Sequence, residues 1–169
     1  MDSDPLTHQA SRLGSAVIMV AGLVRYTDDG SLDSIVRVAC CESWITNYRL
    51  LVEFLAIAGQ GNRVGPANFI PGWSPDPADA KRLGPEYGWA SEVVSHIGPN
   101  RSLVPPVELT PSVLRAKTTV VFDVFQKFLV ALAANTASTD EEDLDRARLA
   151  FCYSQLVEAL AVGRESLPR

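Results

Sequence analysis

The stretch that decides the fold is residues 42–55, which read ESWITNYRLLVEFL. At about 100° per residue, the surrounding segment 31–58 forms a helix with two different sides. One side carries Val36, Cys40, Trp44, Asn47, Leu51, Phe54 and Ala58. The opposite side carries a polar stripe of Glu42, Thr46, Arg49 and Glu53. The pattern therefore predicts one long helix in the first third of the chain.

The polar stripe is not a simple water-facing surface, because the apolar residues Ile35, Val38 and Val52 flank it. Only a narrow strip remains for solvent, made of Ser34, Arg37, Cys41 and Tyr48. A helix that is apolar nearly all round belongs in the middle of a bundle. Charged groups there need partners, since a buried unpaired charge is strongly destabilising. We therefore expect an almost fully enclosed central helix whose charges the other helices neutralise.

Length and charge limit the class of protein. The chain has 169 residues, which fits one domain over residues 1–169. Its net charge of -5 disfavours sequence-independent binding to nucleic acid or to an anionic membrane, and we expect no DNA partner. The N-terminus lacks a basic region, and the apolar run 16–24 is too short to span a bilayer. These features predict a soluble cytoplasmic protein with no membrane partner.

The cysteines predict neither disulfides nor a metal site. There are three, and two of them, Cys40 and Cys41, are adjacent within the central helix. This spacing matches no disulfide framework and no zinc motif. We expect buried, reduced thiols and a protein without metal or cofactor.

Capping signals predict where the helices begin. An Asp or Thr before a proline, or before an acidic first turn, favours a helix start because it satisfies the first backbone N–H groups. Such starts are Asp4-Pro5, Asp76-Pro77, Thr110-Pro111 and Thr139-Asp140-Glu141-Glu142. Gly84-Pro85 predicts a break, followed by a second helical piece over about residues 86–97. With no strand alternation anywhere, the sequence predicts an all-α, single-domain bundle of about five helices.

The segment from residue 59 to residue 76 is rich in glycine and proline and predicts an irregular loop. Phe69, Ile70 and Trp73 are too apolar to lie in water, so we expect the loop to fold against the bundle. The same apolar character makes Phe69 and Trp73 candidates for an interaction surface.

His96 and Arg101 are the first candidate site. The chain has no phosphate-binding glycine loop, no zinc-binding His-Glu motif and no nucleophile elbow, and it has only two histidines. A histidine transfers protons near neutral pH, and an arginine holds a phosphate through two parallel hydrogen bonds. Together they suit metal-independent RNA cleavage by an attacking 2′-hydroxyl. The alternative is structural, with His96 pairing with Glu92 and Arg101 pinning a loop.

The second candidate site is the polar group Glu42, Asn47, Arg49 and Glu53 on the central helix. Arg49 lies one turn before Glu53 and two turns after Glu42, so one guanidinium can bridge both acids. This group either borders a small-ligand or nucleotide pocket or forms an ion-pair network that fixes how the helices meet. A metal is disfavoured because helical di-metal bundles use Glu-x-x-His pairs, and none occurs here.

These motifs resemble a known family. The run from Glu42-Ser43-Trp44 to Phe54-Leu55 is similar to the signature helix of a group of small uncharacterised bacterial helical proteins related to the HEPN superfamily. That group shows Glu-Ser-aromatic followed by His-x-Arg-x-Leu-x-x-Phe. The likeness extends to residues 67–73 and to Ser95-His96-Ile97 with Arg101. The resemblance implies an all-helical fold and dimerisation, and it points to toxin–antitoxin or defence systems.

One departure from the family bears on activity. Asn47 stands where the group often has His, and HEPN ribonucleases carry Arg, a short spacer and then His, whereas here His96 precedes Arg101. The resemblance therefore favours the fold and dimerisation over catalysis. The leading hypothesis is a non-enzymatic regulatory or interaction module that binds a second copy or another protein. The alternatives are an RNA-directed nuclease using His96 and Arg101, and a ligand pocket near Arg49.

Overall fold

Five α-helices make up the described part of the chain. The computed structural model describes residues 4–56, 64–95, 109–138 and 143–167. In these ranges the helices are α1 (Pro5–Leu23), α2 (Ser34–Ala56), α3 (Pro77–Ser95), α4 (Pro111–Ser138) and α5 (Asp143–Ser166). Short 3-10 turns occur at Val24–Tyr26 and Pro66–Asn68, and none of the described residues forms a strand. The prediction of an all-α bundle of about five helices is confirmed.

The helix starts follow the local capping chemistry. The Asp4 carboxylate accepts a hydrogen bond from the Thr7 N–H at 3.0 Å, and Asp76 accepts one from the Asp79 N–H at 2.9 Å. A proline occupies the first position of α1, α3 and α4, where its missing N–H is not needed. These three predicted starts are confirmed. The predicted start at residues 139–142 lies outside the described residues.

The helices share one hydrophobic core. α2 lies between α1 and α3, α5 packs along α1, and α4 contacts both α3 and α5. Tyr48 and Trp44 of α2 meet Glu86 and Trp89 of α3, so these two helices run antiparallel. The largest fully buried side chains are Trp44, Tyr48, Phe69, Phe122, Phe125 and Phe128. Burial of these rings is the main driving force for the arrangement.

α2 is not enclosed along its whole length. From Trp44 onward it carries the buried side chains Trp44, Ile45, Tyr48, Leu51, Val52, Phe54 and Leu55. Before Trp44, Ile35 is 77% exposed, Val36 is 44% exposed and Val38 is 51% exposed. The prediction of an almost fully enclosed helix is therefore wrong for its first ten residues. Val36 is exposed although it shares a helix side with the buried Trp44, and Tyr48, expected in the solvent strip, is fully buried.

α3 continues through Pro85 without the predicted break. Leu83 and Ala90, seven residues apart, lie on the same side of the helix and are both fully buried. Lys81 and Pro85 are exposed, so the Lys81 carbonyl, which loses its usual partner at Pro85, lies on the solvent side. The prediction is wrong because core packing on both sides of the proline outweighs one missing hydrogen bond.

One helix found among the described residues is long and apolar enough to cross a membrane by length and composition. It covers residues 111–137, with a mean hydropathy of 1.4 over its most apolar window. The side chains that α4 buries in the core include Leu114, Val121, Phe122, Phe125, Phe128 and Leu132. A core helix of a bundle has the same composition, so the location of the protein stays a prediction.

Candidate functional site

The predicted His96–Arg101 pair lies outside the described residues, which stop at Ser95 and resume at Leu109. The same holds for the alternative pairing of His96 with Glu92. RNA cleavage by this pair therefore stays a prediction.

The second candidate site, the polar group Glu42, Asn47, Arg49 and Glu53 of α2, is half-buried. The Arg49 Nε lies 3.9 Å from the Glu53 Oε2, which makes an ion pair but is too long for a hydrogen bond. The Asn47 amide donates to the Ser43 carbonyl at 2.8 Å and so serves its own helix. Glu42 lies nearer the N-terminal end of α2, in a shallow groove beside Ile35 and Val38. The structure thus brings Arg49 and Glu53 together, which is one of the two pairings that the predicted bridge would need.

The loop that contains Phe69 and Trp73 folds against the bundle, as predicted. Phe69 is 1% exposed, and its ring lies 5.9 Å from each of the rings of Phe54 and Phe128. This burial corrects the assignment of Phe69 to an interaction surface, because its ring completes the core. Trp73 is only partly buried and packs its ring on Phe128 at 5.2 Å.

A polar cluster missed by the sequence analysis joins α2, α3 and α4. The Glu86 Oε2 accepts hydrogen bonds from the Tyr48 hydroxyl and from the Lys117 ammonium, both at 2.7 Å. The Lys117 Nζ also lies 4.1 Å from the centre of the Trp89 ring, a favourable cation–π distance. Trp44 stacks on Tyr48 with a centroid distance of 4.6 Å. No short-range pattern could reveal this cluster, since its two hydrogen bonds join residues that are 38 and 31 positions apart in the chain.

The polar groups of this cluster satisfy one another's hydrogen-bonding capacity. Burial raises the pKa of Tyr48 far above its usual range, and the hydrogen bond and negative charge of Glu86 act in the same direction. Its hydroxyl therefore stays protonated at neutral pH and acts as a donor. Lys117 neutralises Glu86, so the cluster holds three helices together with its charges paired.

A second ionic network ties α3 to α4 and α5. The Asp79 side chain is 3% exposed and is paired with Lys127 at 2.5 Å and with Arg82 at 3.3 Å. Lys127 also binds Asp76 at 3.1 Å. From α5, Arg164 reaches Asp123 of α4 at 3.5 Å. The pairs with Lys127 and Arg82 keep the buried Asp79 carboxylate neutralised at the start of α3.

A cleft between the start of α1 and the end of α2 is the best candidate for a ligand site. It has a volume of about 490 Å³, within the range of small-molecule sites. Its walls are Pro5, His8, Gln9, Arg12, Leu50, Glu53, Phe54 and Val64. Glu53 was predicted as part of a polar network or pocket, whereas His8 and Arg12 were missed. Their spacing of one helical turn was readable, but their position opposite Glu53 depends on how α1 packs on α2.

Comparisons of the chain with models of protein families, with curated proteins and with solved structures returned no match. The resemblance to HEPN-like proteins accordingly rests on the quoted motifs alone and stays a hypothesis.

Proposed function

We propose that this protein is a non-enzymatic helical-bundle module that acts by association, and that its partner is a second copy of itself. The contact surface is the α2 tip, which we define as residues 34–43. The observation that carries this proposal is the exposure of Ile35, Val36 and Val38 within four consecutive residues. Single exposed apolar residues are ordinary, but a contiguous group favours an interaction surface.

The shape of the α2 tip suits another helix. Ile35 and Val38 are one turn apart and line one shallow groove with Ser34, Ala39 and Glu42. The tip spans about 15 Å, so two copies packed antiparallel about a two-fold axis would each cover the apolar stripe of the other. The area is small for an interface, so we expect a reversible dimer rather than an obligate one.

The family resemblance supports the same proposal. The residues that resemble HEPN-like proteins lie mostly on α2, and the resemblance implies a helical bundle that dimerises. A regulatory role in a toxin–antitoxin or defence system would be exerted through such contacts. Nothing in the described residues favours catalysis over association.

The test is sedimentation velocity over a range of protein concentrations. We expect the wild type to show a concentration-dependent monomer–dimer equilibrium and the double variant Ile35→Asp/Val38→Asp to remain monomeric. Both positions are exposed, so the variant should keep its melting temperature to within a few degrees.

Val130→Asp is the matched control. Val130 is also an exposed apolar residue, 62% exposed, but it lies on α4 and is not part of the α2 tip. This variant should dimerise like the wild type. A wild type that stays monomeric at every concentration, or a double variant that dimerises normally, would disprove the proposal.

A further inference from the structure

We infer that the α1–α2 cleft binds a small organic monocarboxylate that carries an apolar ring or branched chain. This binding site is independent of the α2 tip, because it lies at the opposite end of α2. Three features of the cleft argue for this class of ligand: a cationic wall, an apolar floor and one carboxylate on the facing wall.

The cationic wall belongs to α1, and Arg12 supplies its positive charge. His8 and Arg12 are four residues apart and therefore project from the same face of the helix, with Gln9 beside them. Within the described residues, neither the His8 nor the Arg12 side chain has a hydrogen bond or ion pair, whereas Arg82 and Arg164 are both paired with carboxylates. A guanidinium offers two parallel N–H groups that match the two oxygens of a carboxylate.

The floor and the facing wall select the rest of the ligand. Leu50 and Phe54 of α2, with Pro5 and Val64, supply apolar surface for a ring or a branched chain. Glu53 adds a negative charge opposite the cationic wall and is itself paired with Arg49. That charge opposes a ligand with two negative charges, so the cleft favours a monocarboxylate over phosphate.

The experiment is a titration of the isotopically labelled full chain with phenylacetate, followed by two-dimensional ¹H–¹⁵N NMR. We expect saturable shifts at residues 5–12 and 50–54, with a dissociation constant in the millimolar range. Arg12→Gln should weaken binding about tenfold or more, because a charged hydrogen-bond donor is lost. Inorganic phosphate should cause no saturable shift in this region.

Two controls make the result specific. Arg25→Gln removes an exposed arginine beyond the opposite end of α1 and should leave the phenylacetate affinity unchanged. The Ile35→Asp/Val38→Asp variant should also bind normally, so failure of the dimer proposal does not decide this one. The inference is overturned if no saturable shift occurs, if the shifts map to residues 34–38, if Arg12→Gln binds as well as the wild type, or if phosphate binds equally.

Discussion

At the scale of single residues, Gly163 marks the closest approach between α5 and its neighbours. A Cβ atom there would lie 3.1 Å from a methyl carbon of Val17 and 3.2 Å from two ring carbons of Phe122. Val17 and Phe122 are both fully buried, so neither side chain has room to retreat. The missing side chain at Gly163 is therefore what lets α5 sit against α1 and α4 at this point.

We predict that Gly163→Ala lowers the free energy of unfolding by about 1 kcal/mol, because overpacking of the core outweighs the gain in helix propensity. The matched control is Gly88→Ala in α3, where no atom lies within 4 Å of the added Cβ. That variant should gain about 0.5 to 1 kcal/mol. Urea unfolding of both variants provides the measurement. If the two substitutions changed the free energy of unfolding by the same amount, the close contacts at Gly163 would have no effect on stability.

At the scale of elements, the first turn of α3 depends on charge. The hydrogen bond from the Asp79 N–H holds the pKa of Asp76 below its usual value, and the Lys127 ammonium lowers it further. A carboxyl group whose pKa is lowered on folding stabilises the folded state above its unfolded pKa. That contribution is lost as the pH falls through the folded pKa.

We predict that Asp76→Asn melts at a lower temperature than the wild type at pH 7, and that the difference shrinks as the pH falls below about 4. Asparagine is also a good N-cap, so the substitution removes the charge while keeping the cap. Thermal unfolding followed by circular dichroism at several pH values tests this. Asp28→Asn, in an exposed turn, is the control, and its melting temperature should differ from that of the wild type by the same amount at every pH. A melting-temperature difference for Asp76→Asn that does not change with pH would contradict the prediction.

At the scale of the whole molecule, Tyr48, Glu86 and Lys117 hold α2, α3 and α4 in register. The Tyr48 hydroxyl is enclosed and donates to a carboxylate, and a hydrogen bond to a charged group contributes more to stability than a neutral one. Because the pKa of Tyr48 is raised on folding, its contribution is fully present below about pH 10. It is lost at higher pH, where the unfolded chain ionises first.

We predict that Tyr48→Phe lowers the free energy of unfolding at pH 7 by about 1 to 2 kcal/mol. The variant should also lose less stability than the wild type between about pH 9 and pH 11. Urea unfolding across this range measures both effects. Tyr26→Phe, at a position that is 37% exposed, is the control and should match the wild type. An unchanged alkaline profile in Tyr48→Phe would show that its hydroxyl is not linked to folding.

Predictions about the helices were right where they depended on neighbouring residues and wrong where they depended on packing between helices. Asp4, Asp76 and the prolines after them act on backbone groups within one turn, so helix starts were readable from the chain. Pro85 was misread because the packing of Leu83 and Ala90 is a long-range effect. Periodicity assigned sides to α2 but could not tell which half of it has neighbours, so the exposed tip was missed.

The sequence by itself determined the all-α class and the main helix starts, and it indicated the pairing of Arg49 with Glu53, because each depends on residues close together in the chain. Only the tertiary structure decided that Tyr48 is buried, that the α2 tip is exposed and that His8 and Arg12 face Glu53 across a cleft. The physical reason is that burial and contact between helices depend on how whole helices pack, and no local pattern contains that information.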